Sequence, residues 1–331
     1  PRGPPVGDAK PLAGDYAVDP RSVIDLTSNI DGQGRLKWNV PAGSWTIMRF
    51  GHTATGQLNV SASDAGRGLE TDKLSRDATD FHFQFVIEKV LAEGRLKTVT
   101  IDSYEAGLQN WTATFPDEFR NRAGYSLVQY LPAMTGRIVG DRSISERFLF
   151  DVRRTQADMM AGYYYGRMGE LCRQHGLDFY VEGYGQGVFD EMQVSGTPGF
   201  PMTEFWERTP WTPNRTVKMV ASAAHVYGKP VVAAEAFTGE EQTARWLEYP
   251  YSLKALGDLM FSLGVNQFVF HRYAHQPHPT AVPGMTMGPW GFHMDRTNTW
   301  FEQSSAWTTY LARCQYLLRQ GVYVADILYF T

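Results

Sequence analysis

Apolar positions along most of this 331-residue chain recur in one order: a helical stretch, a glycine, then a short and almost wholly apolar run. The pattern predicts helices over Arg76–Glu93, Glu146–His175, Asn214–Tyr227, Pro250–Leu263 and Trp300–Gln320, stopped at Gly94, Gly176, Gly228, Gly264 and Gly321. Strands are predicted after them at Thr98–Asp102, Asp178–Glu182, Val231–Glu235, Asn266–His271 and Val324–Phe330. Glycine is the expected stop because it has no Cβ to clash in the left-handed conformation just past a helix. Strands that are apolar throughout and separated by helices imply a parallel sheet covered on both faces. Right-handed crossovers then leave a closed barrel or a doubly wound open sheet. No G-x-G-x-x-G or Walker loop opens any of these helices, so the nucleotide-binding open sheet lacks its signature. The expected fold class is therefore α/β, a (β/α)8 TIM-like barrel, incomplete in that six or seven strands can be counted.

Ahead of the repeats, Ser22–Thr27, Gly34–Val40 and Trp45–Phe50 alternate apolar and polar residues, which predicts short strands and a β-rich N-terminal extension. Residues 1–21 are dense in Pro and Gly and read as a linker or arm. The expected organisation is thus 1–21 linker, 22–75 short strands, 76–323 barrel, and 324–331 as the last strand or the start of a following domain.

Composition narrows the class. Lys and Arg total 31 against 35 Asp and Glu, a net charge of −4 without basic blocks, which argues against nucleic acid or an anionic membrane surface as partner. No apolar run reaches the roughly 20 residues of a membrane span. Cys172 and Cys314 form neither a disulfide framework nor a Cys-rich zinc site. The chain starts at Pro1, so it reads as an excerpt or processed product whose compartment is not visible at its N-terminus.

Each apolar run also ends in ionisable residues: Asp102 and Glu105, then Glu182, Glu204, Glu235, and His271 with His275. In a parallel barrel all C-terminal strand ends open on one face, where such enzymes carry their chemistry. One acid there is usually a helix cap or ion-pair partner. Five acids interleaved with Tyr104, Trp111, Tyr184, Trp206 and Phe237 would repel one another unless a cation or polar substrate engaged them. Paired carboxylates beside aromatic platforms suit glycoside hydrolysis, in which one acid protonates the leaving oxygen and the other activates water or attacks the anomeric carbon. A metallohydrolase is the competing class, with His271, His275 and His278 available, but no H-E-x-x-H occurs. His82, His175 and His225 fit helical periodicity and read as structural.

At these residues the sequence resembles glycoside hydrolase family 106, the α-L-rhamnosidases. The resemblance rests on Gly43-Ser-Trp45, Arg49-Phe-Gly51, Gly68-Leu-Glu70-Thr-Asp-Lys73, Asp102-Ser-Tyr-Glu105, Asn110-Trp-Thr112, Glu204-Phe-Trp206, Ala234-Glu-Ala-Phe-Thr238 and His271-Arg-Tyr-Ala-His-Gln-Pro277. It implies a calcium-dependent barrel enzyme, secreted or periplasmic, that removes terminal α-L-rhamnose from a glycan or glycoside with inversion, accompanied by accessory β-domains. Carried over by motif, Glu105 is the general acid and Glu235 the general base. Asp102, Glu182, Glu204, His271 and His275 line the sugar subsite, and Glu204 is the preferred calcium ligand. Two other readings stay open: a retaining barrel glycosidase with Glu182 as acid and Glu235 as nucleophile, and a non-catalytic sugar-binding domain.

Overall fold

The structure, a computed structural model, describes residues 17–331 except 60–61, 95, 208–213, 241, 243, 283, 286–289 and 329–331. Most of the 1–21 linker therefore lies outside the described residues. The chain divides into two compact units. One comprises residues 1–81, 106–164 and 186–189; the other comprises 82–105, 165–185 and 190–331.

The second unit holds the sheet. Strands β1 (Thr98–Ile101), β2 (Asp178–Glu182), β3 (Phe200–Trp206), β4 (Ala233–Thr238) and β5 (Gln267–Phe270) are parallel and lie side by side in chain order. Burial follows position in the sheet. Central β2, β3 and β4 are buried along most of their length, whereas edge strands β1 and β5 are half-exposed. Near-continuous burial is what helices on both faces of a parallel sheet produce. Against β3–β5 lies an apolar core drawn from the sheet, from the helices Asn214–Val226, Pro250–Ser262 and Ser305–Leu318, and from the loop carrying Phe292. Phe237 is its hub, with Phe205, Phe268, Phe292 and Trp307 ringed about it at centroid distances of 4.9–5.8 Å.

Glycine behaves as expected at three of the five stops. Gly176, Gly228 and Gly264 take φ of +68°, +66° and +110°, while Gly94 is extended at −150° and Gly321 is not left-handed. A Cβ on Gly228 would meet nothing within 4 Å, so a substitution there acts on the backbone alone. Gly228→Ala should therefore cost about 1 kcal/mol, read as a lower urea midpoint at unchanged slope.

The structure corrects several expectations. The helix expected over Glu146–His175 consists of α-helix Arg142–Met159, a π-helical stretch Met160–Gly166 and α-helix Arg167–Gln174; Gly162 and Gly166 supply the weak helix formers where the π-turn sits. Strand β4 begins two residues later than expected, at Ala233. The 22–50 strands do not form. Among the described residues of 22–75 there are only the isolated antiparallel bridges Ile30–Leu36 and Leu58–Leu69. Ile24, Val40, Ile47 and Phe50 are exposed, so among the described residues no second layer covers the apolar face that alternation needs. Val324–Leu328 runs as exposed coil, so no sixth strand is present among the described residues. Among the described residues the sheet is a parallel half-barrel of five strands, where six or seven were counted in the sequence.

In the first unit, Phe119, Phe148, Tyr125 and Tyr130 form an aromatic cluster. Two of the motif segments meet there. The Lys73 backbone N–H donates to Gln109 Oε1 at 2.9 Å, and Thr112 Oγ1 donates to Asp72 Oδ2 at 2.7 Å. Among the described residues, no helix is long and apolar enough to cross a membrane.

Candidate active site

Parallel pairing assembles the site. In register, Glu204 of β3 sits opposite Glu235 of β4, which puts both carboxylates on one face of the sheet. Trp206, two residues on from Glu204, shares that face and donates its Nε1–H to Glu204 Oε2 at 2.9 Å. Glu182 ends β2, and the Tyr184 hydroxyl donates to its Oε2 at 2.5 Å. The chain leaving β1 is held against this end of β2: Tyr104 N–H donates to Tyr184 O at 3.1 Å, and Tyr104 bridges Gly185. Gly185 has φ +127°, and a Cβ there would lie 2.5 Å from Tyr104 O, so this close approach requires glycine. It carries Asp102 into the cluster. Asp102, Glu182 and Glu235 each offer a carboxylate oxygen, all within 4.8 Å of one another.

The electrostatics follow from burial among like charges. Glu182 is 1% exposed, and burial, reinforced by the charge of Asp102, pushes its carboxyl well above the usual carboxylate range. Glu235 is pushed up to about 7, again mainly by burial, against the opposing hydrogen bond from Thr238 Oγ1 and with the charges of Asp102, Glu204 and Glu105 adding to the rise. Glu204 is raised by burial and lowered in part by Trp206. Glu105 is exposed and accepts from Ser103 Oγ at 3.2 Å. His271 Nδ1 stands 3.8 Å from Glu235 Oε1, too far for a hydrogen bond; burial and the charge of Arg272 hold the imidazole below its ordinary range, so it is neutral at pH 7.

Residues 7–331 match the model of glycoside hydrolase family 106, described as alpha-L-rhamnosidase. The chain belongs to that family. It is 43% identical over 330 residues to a Formosa agariphila protein named "Putative beta-glucuronidase", covering 98% of this chain and 28% of that protein. It is also similar to the solved structure of a rhamnosidase from Novosphingobium sp. PP1Y, with a TM-score of 0.82 and 32% identity over 92% of this chain and 31% of that one. This family 106 chain thus spans about three-tenths of the length of each of these relatives.

Of the residues singled out in the sequence, Asp102, Tyr104, Glu182, Tyr184, Glu204, Trp206, Glu235 and His271 are linked by the contacts and charges above, and Glu105 acts on them through its charge. His275 is exposed in the coil beyond β5, without a link to the carboxylates among the described residues. Trp111 belongs to the first unit, where its ring lies 4.5 Å from Phe115 and 6.5 Å from His52. Glu204, the preferred metal ligand on sequence, is outside the Asp102–Glu182–Glu235 triple, and one of its oxygens is held by Trp206.

Sequence reasoning overlooked four groups. Thr238 lies three residues beyond Glu235 and bonds it, a signal that was available in the Glu-x-x-Thr spacing. Trp290 meets Trp206 edge-on at 5.8 Å. His293 and Asp295 are buried in an irregular segment, where no periodicity marks a position as buried.

Proposed function

We propose that this chain carries the catalytic centre of an inverting α-L-rhamnosidase that acts on a rhamnose-containing glycan or glycoside. The observation behind the reading is the convergence of five acids from successive strand ends on one site, with Glu182 and Glu235 raised by burial and mutual repulsion. Perturbed carboxyls gathered beside Tyr184 and Trp206 are what acid–base cleavage of a glycoside requires. The five-stranded sheet is read as part of a (β/α)8 barrel.

In the proposed reaction Glu105 gives its proton to the glycosidic oxygen as the C1–O bond breaks. Glu235 takes a proton from the water that attacks C1 on the opposite face. The sugar leaves with inverted configuration, Glu105 ionised and Glu235 protonated; exchange with solvent resets both. A carboxyl near pH 7 suits a group that must accept a proton at neutral pH. Asp102, Glu182, Glu204 and His271 bind sugar hydroxyls, and Trp206 offers a ring face to the sugar.

Calcium fits the donor set. The triple presents oxygen ligands only, and Glu182 Oε1 is buried without a hydrogen-bond donor. Asp102, Glu182 and Glu235 would hold the ion. When bound, it would relieve the repulsion among the acids and polarise sugar hydroxyls.

Burial holds the Glu182 carboxyl well above the usual carboxylate range, which favours the retaining alternative in which it is the acid and Glu235 the nucleophile. Its 1% exposure favours the inverting reading, because a leaving oxygen must reach the acid. The test is hydrolysis of an aryl α-L-rhamnoside by the intact protein with calcium or chelator, with the released anomer followed by NMR. Calcium-dependent release of β-L-rhamnose is expected. The α-anomer as first product would establish retention, and no release would refute the rhamnosidase reading.

A further inference from the structure

Arg272 follows His271 directly at the end of β5, one residue from the group that faces Glu235. It is 8% exposed, and among the described residues none of its three guanidinium nitrogens has a hydrogen-bond partner. A buried guanidinium keeps its charge, and left unpaired it is among the costliest groups a fold can enclose. The acid whose charge it feels is already committed: Asp295, 4% exposed, acts on Arg272 without bonding it, while its Oδ1 accepts from Thr297 N–H at 2.8 Å and from Thr297 Oγ1 at 2.5 Å. His293 stands in the electrostatic field of Arg272, 3% exposed, with Nε2 also unpartnered. Burial and the Arg272 charge push its imidazole down to about 4, so at neutral pH it adds no second positive charge. Its ring is stacked on Trp246 at 3.7 Å and 5°, and Trp246 is partly exposed.

A planar, charged fork without an acceptor, set beside a ring nitrogen and an exposed aromatic, has the chemistry of a carboxylate receptor. His271 feels the charges of both Arg272 and Asp102, which links the fork to the carboxylate cluster, and an anionic sugar approaching Asp102 is repelled unless a cation takes up its charge. We propose that Arg272, with His293 beside it, binds the carboxylate of a uronic acid, so that the glycan this site accepts is acidic. The inference rests on the glycosidase reading of the carboxylate cluster and deepens it.

The test separates the two readings because it needs no turnover. Binding of D-glucuronate and of D-glucose to the intact protein is compared by calorimetry, in the wild type, Arg272→Gln and Arg272→Lys. Glucuronate should bind the wild type at least tenfold more tightly than glucose. That preference should vanish in Arg272→Gln and survive in part in Arg272→Lys, which keeps the charge and loses the fork. Equal binding of the two sugars by the wild type, or a preference unchanged in Arg272→Gln, overturns the proposal. Should Arg272→Gln fail to fold, an Arg272→Lys variant that binds glucuronate as tightly as the wild type overturns it too, since a bidentate fork would then be irrelevant. With the preference present, hydrolysis of an aryl β-glucuronide would place the uronic acid in the released sugar, and cleavage of a rhamnosyl-glucuronate disaccharide would place it on the leaving side; either supports the carboxylate site. Failure to cleave a neutral aryl rhamnoside bears on the rhamnosidase reading alone.

Discussion

Glu235→Gln should lower kcat on an aryl α-L-rhamnoside by about 10²–10⁴-fold, the usual contribution of a positioned general base. Glutamine keeps the size of the side chain and can still accept from Thr238, so the fold around β4 should survive and the loss should fall on the proton transfer. The wild-type pH profile carries the diagnostic. A base must be ionised to act, and burial raises the Glu235 carboxyl while a cation at the Asp102–Glu182–Glu235 cluster opposes that rise, so with calcium bound kcat/KM should rise with pH along an acid limb at or below about 7, and that limb should disappear in Glu235→Gln. Thr238→Val removes the hydrogen bond that opposes the upward push, so it should move that limb to higher pH while leaving activity above it. Glu105→Gln should cost a comparable factor on substrates with poor leaving groups. Where the leaving group is an activated phenol, the loss should be smaller, because such a group departs without a proton. Full activity in Glu235→Gln, or an acid limb that stays in the variant, would remove Glu235 from the reaction.

How much of this was legible in the sequence depended on whether a signal was local. Helix followed by glycine and apolar strand is local, and it located β1, β2, β4 and β5 to within three residues at either end. Strand β3 follows a helix of only six residues and contains Pro201, so it showed in the sequence through Glu204 rather than through the repeat. The 22–50 segment shows the opposite failure: alternation was present, but a strand also needs a partner and a covered face, and neither is a property of the segment itself. At the site, residue types at strand ends were readable, because a parallel sheet sends all those ends the same way. What they touch was not. The pairing of Glu204 with Glu235 depends on register between strands some thirty residues apart, and which of the acids approach closely enough to share an ion depends on distances between side chains of separate segments. Arg272 was visible only as part of a motif. Its importance lies in having no acceptor, which composition and spacing cannot display.

The metal-free protein should lose stability as pH rises from about 4.5 to 7, and calcium should restore it. The sign follows from linkage. A carboxyl whose pKa is higher folded than unfolded binds more protons in the native state, so stability falls with rising pH until the folded group has ionised. The rise in Glu235 from its ordinary 4.5 to about 7 corresponds to about 3 kcal/mol across that window, and Glu182, raised by burial in the same direction, adds to the loss. At neutral pH the site therefore holds acids that the fold alone ionises with difficulty. A divalent cation held by Asp102, Glu182 and Glu235 reverses that balance, because it binds the ionised form and stabilises the native state by about 2.7 kcal/mol at one hundred times its Kd. The measurement is the melting temperature in chelator and in calcium across pH 5–8. The two curves should meet near pH 5 and diverge as pH rises. Glu182→Gln should raise the chelator curve at pH 8 while shrinking the calcium effect, since it removes both a repelling charge and a ligand. A melting temperature in chelator that climbs over this range, or calcium that stabilises equally at every pH, would mean that the buried acids are neutralised by something other than protons and a metal ion.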